Sequence, residues 1–252
     1  MTIGGVALML ALSGAQVAFA SHAWGTFHWA RSANPATITV GDNVTSVWDS
    51  YLATTAADWG TSTVIDIAVV PGVSSLKTCK PAAGRVEVCN SKYGNNGWLG
   101  IASVWANGDH ITQGTVKMND TYFNSRTYNT PAWRNLVLCQ EVGHTLGLDH
   151  QDEVFTNPNL NTCMDYTNDP TSNQHPNTHD YDMLETIYAH LDGTSSSTLA
   201  KSRTGSDIDT SNPKEWGDEI KRSKDGRASL YKRELGGGKS VFTHVFWAES
   251  RN

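Results

Sequence analysis

Gln140, Glu141, His144 and His150 lie within one short stretch and combine the side-chain types that hold a metal ion and handle a proton. Positions 139–150 read Cys-Gln-Glu-Val-Gly-His-Thr-Leu-Gly-Leu-Asp-His. On a helix, Gln140 and His144 stand four apart on one face, so both can reach a single ion while the Glu141 carboxylate polarises a water beside them. Gly147 then lets the chain leave the helix and turn back, bringing His150 round as a third donor. Such a set could perform hydrolysis, which needs an activated water, a base and a group to hold the developing oxyanion. A neutral amide oxygen is a harder and weaker donor than an imidazole for a borderline-soft ion. Two outcomes stand open at this level: an ion held at reduced affinity, or an ion lost.

The stretch resembles the zinc-protease motif HExxHxxGxxH with Gln140 in place of its first histidine. Downstream, Cys163-Met164-Asp165-Tyr166 resembles the Met-turn of the metzincin clan of metalloendopeptidases. From about residue 27 to residue 192 the order of elements is similar to a matrixin-like catalytic domain. The resemblance implies an α/β (α+β) fold, a mixed twisted sheet with an active-site helix and a C-terminal helix. It implies one catalytic Zn2+ on Gln140, His144 and His150, Glu141 as general base, and a protein or peptide substrate. Met164 becomes the hydrophobic floor, and Tyr166 directs its phenol toward the oxyanion or the metal. A Met-turn beneath the helix also brings Cys139 and Cys163 together as a disulfide. The alternative is a peptide-binding pseudoprotease with lost or weakened zinc; a third possibility is a structural secreted module built on the aromatic-rich tail.

The elements that must position these residues are legible as patterns. Thr37–Val40 alternates as a strand, and Gly41-Asp42-Asn43 predicts a turn and cap before an amphipathic helix running to about Trp59. Val64–Val70 predicts a buried strand. Cys79 and Cys89 flank a turn-like Lys80–Gly84, which predicts a bridged hairpin. Strands follow around Leu99–Trp105 and Thr115–Met118. Thr130 as N-cap and Pro131 at the first helical position open the motif helix, whose apolar side carries Trp133, Leu136, Val137 and Val142. A last helix is expected from near Asp180 through Leu191.

Residues 1–20, apolar and ending Ala18-Phe19-Ala20, read as a signal peptide cleaved before Ser21, leaving a catalytic domain over 21–192. An uncleaved anchor is disfavoured because the run is short and contains Ser13 and Gln16. The first basic residue is Arg31, which points to a start upstream of Met1. Residues 193–213 have linker composition and are expected to be flexible. Residues 214–252 are expected to form a small C-terminal β-hairpin extension around Gly236-Gly237-Gly238, with Val241, Thr243, Val245 and Trp247 on one face and Phe242, His244 and Phe246 on the other. Gly238-Lys239-Ser240 lacks the earlier glycine of a phosphate loop and is rejected as one.

The chain of 252 residues carries a formal charge of −6, with 8 basic against 17 acidic side chains up to residue 192 and 11 against 8 beyond it. The signs allow the tail to dock on the acidic part. No basic stripe with interleaved aromatics is present, so nucleic acid is not an expected partner. No stable membrane association is expected, and a secreted monomer is. Four cysteines in an exported chain imply two disulfides. His110, His175 and His179 are spare ligands without a metal-binding spacing, and the Asp- and Asn-rich residues 165–173 give only a weak calcium pattern.

Overall fold

The computed structural model describes residues 21–199 and 207–248, so the expected signal peptide lies outside the described residues. The architecture is mixed α/β, built on one sheet of nine strands. These are β1 (His28–Trp29), β2 (Ala36–Asn43), β3 (Ile65–Pro71), β4 (Arg85–Ser91), β5 (Trp98–Asn107), β6 (His110–Asn119), β7 (Asp218–Arg222), β8 (Ala228–Gly236) and β9 (Lys239–Trp247). Their order is β3-β2-β4-β6-β5-β9-β8-β7, with β1 beside β6. Strands β2, β3, β4 and β6 run parallel, and every pairing from β5 through β9 to β7 is antiparallel. The helices are α1 (Asp49–Trp59), α2 (Asp120–Phe123), α3 (Pro131–Thr145), α4 (Thr178–Ile187) and the single turn α5 (Ser196–Leu199).

Helix α3 begins as its residues dictate. Thr130 is extended and accepts from Trp133 N, and Pro131 occupies the first turn, where its missing N–H costs no hydrogen bond. The helix lies over β5 and β6 and against α1. Gly100 sets the closeness of that contact: a Cβ there would stand 2.5 Å from Val137 Cγ1 and 2.8 Å from Glu141 Oε1. Both expected disulfides are present, Cys79–Cys89 and Cys139–Cys163.

Several local expectations are corrected. Gly41-Asp42-Asn43 is strand, because β2 is flanked by parallel partners on both sides, with Gly41 opposite Val70 and Glu87, and two ladders override turn preference. Helix α1 therefore begins only at Asp49. Strand β3 is an edge strand with Val69 exposed, not a buried one. The Cys79–Cys89 bridge does not close a hairpin, since the residues before Arg85 form a loop and β4 pairs with β2 and β6. Helix α4 ends at Ile187, short of the exposed Leu191.

The tail is part of the sheet. The two arms around the glycines are β8 and β9, but β7 extends them to a three-stranded meander, and β9 pairs along β5 from Asn107–Lys239 to Trp98–Trp247. The expected face alternation holds. Phe242 and Phe246 enter the main core with α3, while Val245 and Trp247 join Trp98, Ile101 and Trp216 in a second core. Of the expected linker, residues 193–199 and 207–213 are described. Ser196 in it is buried, donating through Oγ to Ile111 O and accepting from Ala30 N.

Candidate metal centre on the buried helix

Helix α3 was expected to have one apolar side, yet every residue from Leu136 to Thr145 is buried. Strand β9 supplies the cover. The structure brings Gln140, Glu141, His144, His150 and Tyr166 together and adds His244, whose ring stacks on His144 at 4.1 Å between centroids and 14° between planes. The chain returns after the helix as expected: Gly147 has φ +101°, and a Cβ there would lie 2.5 Å from Phe27 O. Met164 lies beneath the helix, with Sδ 2.6 Å from where a Gly143 side chain would begin.

The orientation of the two motif histidines follows from their other ring nitrogens. His144 Nδ1 is 2.8 Å from Leu148 O, which can only accept, so Nδ1 carries the proton and Nε2 keeps its lone pair. His150 Nδ1 faces Asp149 Oδ1 at 3.2 Å and Glu153 Oε1 at 3.3 Å, while its Nε2 accepts from Gln140 Nε2 at 3.0 Å. The replaced position thus points at the nitrogen a metal would use. The rings of His144 and His150 meet edge to face at 4.5 Å. Tyr166 packs on His150 at 4.2 Å and its phenol lies beside the Gln140 amide.

Burial dominates the electrostatics. It pushes the Glu141 carboxyl well above the carboxylate range; the Ala102 amide opposes this, yet neither oxygen makes a hydrogen bond of ordinary geometry. Burial, then the neighbouring His244 and His150, pushes His144 well down. His244 is pushed down to about 3, chiefly by burial. For His150 burial also lowers the value, but Asp149 and Glu153 outweigh it and hold the ring above its ordinary range.

Four polar atoms here are buried without a hydrogen-bond partner: Gln140 Oε1, both oxygens of Glu141, and His244 Nε2. Such atoms cost about 1–3 kcal/mol each when nothing pairs with them, so the donor set fits a bound cation and its water better than it fits an apolar core. Among the described residues, two groups of three or more histidines and carboxylates have ligand atoms within 4.8 Å of one another, namely His28, His190 and Asp192, and Asp149, His150 and Glu153. His144, His150 and His244 are not such a group. The second group already has a cation, because Lys221 Nζ sits 2.8 Å from Asp149 Oδ2 and from Glu153 Oε1 and latches β7 to the loop after the motif.

The spare candidates are elsewhere. His175 pairs with Asp58 at 2.7 Å, His179 stacks on His22 at 4.6 Å, and His110 faces Asp192 at 3.3 Å. Residues 165–173 enter neither metal-compatible group: Asp165 Oδ2 accepts from Leu160 N and Asn173 Nδ2, and Asp169 Oδ1 caps Thr171. His244 was missed as a site residue. Its one signal was a histidine on the apolar face of a strand, flanked by Phe242 and Phe246, which more often marks a satisfied core residue.

No family model matches the chain, and no curated protein matches it either. Among the described residues, no helix is long and apolar enough to cross a membrane.

Proposed function

We propose that the chain is an exported, metzincin-like zinc endopeptidase whose catalytic helix is covered by its own C-terminal meander. The observation that carries this reading is the pairing of Glu141 with two histidines whose Nδ1 atoms face oxygen acceptors, around polar atoms that nothing in the protein satisfies. His144 and His150 would hold the ion through Nε2. The third donor is the Gln140 amide oxygen, buried and without a hydrogen bond. When bound, zinc lowers the pKa of its water to about 7 and polarises the scissile carbonyl. Glu141 accepts the proton of the attacking water and passes it to the leaving amine. Tyr166, beside Gln140, is placed to donate to the oxyanion. Glu141 is 1% exposed, so a peptide reaches it only after the cover over α3 has opened. The two disulfides support an oxidising compartment.

A second reading, a peptide-binding pseudoprotease, is favoured by the hydrogen bond between Gln140 and His150, which occupies the ligand nitrogen. Metal analysis of the mature chain paired with casein cleavage separates the two. Zinc with cleavage that disappears in Glu141→Gln supports the enzyme; a metal-free, inactive chain that still binds peptides supports the pseudoprotease.

A further inference from the structure

Apart from the α3 centre, three imidazoles converge on one carboxylate oxygen. Asp192 Oδ1 lies 3.2 Å from His28 Nε2, 3.2 Å from His190 Nε2 and 3.3 Å from His110 Nε2. The four residues come from β1, the first position of β6 and the turn after α4, and none belongs to the centre described above. Asp192 is oriented from behind, its Oδ2 accepting from Arg31 N at 2.8 Å.

His28 Nδ1 is 2.8 Å from Thr26 O, a carbonyl that only accepts, so Nδ1 carries the proton. A neutral His28 then presents the Nε2 lone pair to a carboxylate oxygen at 3.2 Å, two acceptors face to face at a buried position. A second proton on His28 removes that conflict, and so does a divalent ion between His28, His190 and Asp192. Metal–nitrogen and metal–oxygen bonds of about 2.0–2.1 Å in tetrahedral geometry separate neighbouring ligand atoms by roughly 3.3 Å. Asp192 Oδ1 stands 3.2 Å from the Nε2 of both His28 and His190. The ligand atoms of these three residues all lie within 4.8 Å of one another, and His110 is outside that group. Both the Thr26 carbonyl on His28 and the Arg31 amide on Asp192 are the outer partners that fix a ligand's tautomer and direction. An ion has a way in, since the His190 side chain is 57% exposed and, with His28 and Asp109, lines an open hollow.

The geometry points to a second metal site, a structural one for a zinc-class divalent ion, held by His28 and His190 through Nε2 and by Asp192 through Oδ1. It ties β1 to the end of α4, joining segments distant in sequence.

The test uses the mature full chain, stripped with a chelator and titrated with Zn2+ alone, then with Co2+ as a spectroscopic probe of tetrahedral geometry. His190→Ala removes an exposed ring, and circular dichroism checks that the fold is retained. It is expected to lose one equivalent of tightly bound zinc, through a weakening of at least about 10–100-fold, together with the cobalt absorption and the zinc-dependent rise in Tm belonging to that equivalent. Asp192→Asn, which retains shape and loses charge, is expected to weaken the same equivalent. Unchanged zinc stoichiometry and an unchanged zinc-dependent Tm in both variants would overturn the proposal, as would a parent chain that takes up no zinc. Because the readout is stoichiometry and not proteolysis, a chain that cleaves nothing can still bear the site out.

Discussion

Two histidine clusters in this molecule are built in opposite ways. The α3 centre draws Gln140, Glu141, His144 and His150 from one contiguous stretch, and its helix is buried. The Asp192 cluster gathers residues spaced across the chain, keeps His190 half in water, and brings three imidazole nitrogens to one carboxylate oxygen. In the first, residue types and spacing announce chemistry while the donor atoms remain partly engaged with each other. In the second, the donor atoms stand ready while no spacing announces them. Spacing along a helix therefore reports which side chains can meet, whereas convergence on a ligand is settled by tertiary packing.

The comparison is tested most severely through the cover of the first cluster. Phe246, fully buried against Tyr166, Trp133 and Phe155, is a wall of the α3 centre. Phe246→Ala is expected to destabilise the chain by about 3–5 kcal/mol in urea unfolding. A change under about 1 kcal/mol would mean that β9 is loosely held and the centre not truly closed.

Glu141→Gln is expected to retain zinc while losing on the order of a hundredfold or more in casein turnover, about 2.7 kcal/mol of barrier. Undiminished turnover removes Glu141 as the base. Gln140→Ala tests the third donor: it is expected to lose zinc at the α3 centre, and an unchanged affinity sinks a three-donor centre. Gln140→His is expected to tighten zinc.

A buried charge away from both clusters calibrates the scale. Lys117 is 1% exposed, its Nζ lies 3.9 Å from Asp209 Oδ1 without a hydrogen bond, and burial lowers its pKa to about 8, with Asp209 opposing. The unfolded chain, with Lys near 10.5, binds more protons between pH 8 and 10.5, so stability rises with pH across that window and the penalty is fully present below it. Lys117→Met is accordingly expected to be more stable than the parent by up to about 3 kcal/mol at pH 7, with the gain shrinking as pH rises through the window. A pH-independent difference would contradict the charged state. The smallest effect belongs to Lys221, whose side chain is 44% exposed. Lys221→Met is expected to cost at most about 1 kcal/mol in urea unfolding, less in high salt, as surface ion pairs do.

Legibility follows the same division. Helix α3, its Thr130 cap, the Gly147 turn and the Cys79–Cys89 bridge were readable because each rests on neighbours in sequence. Cys139–Cys163 was reached through the family resemblance of Met164 and its neighbours. The alternation of β9 was readable too, and it assigned Phe242 and Val245 to opposite faces. Which strand β9 would pair with was not, since period-two patterning names faces and not partners. That is why His244 was assigned to a face with Phe242 and Phe246 and not to the site. Gly41-Asp42-Asn43 failed for the converse reason: good turn residues were overridden by two parallel neighbours. The Asp192 cluster had no signal at all, because β1, β6 and the end of α4 meet only in the finished fold.

Strand β9 comes after the other described strands in sequence but lies inside the sheet, and its partner β5 is made long before it. Ala102 and His244 face each other across about 140 residues of sequence. At roughly 5–20 residues per second, something on the order of ten seconds separates their synthesis. During that interval β5 has an unpaired edge and α3 an uncovered face, the kind of surface on which other chains pair. The centre is therefore closed only once β9 has been made. A chain stopped before Lys239 would lack the middle of its sheet.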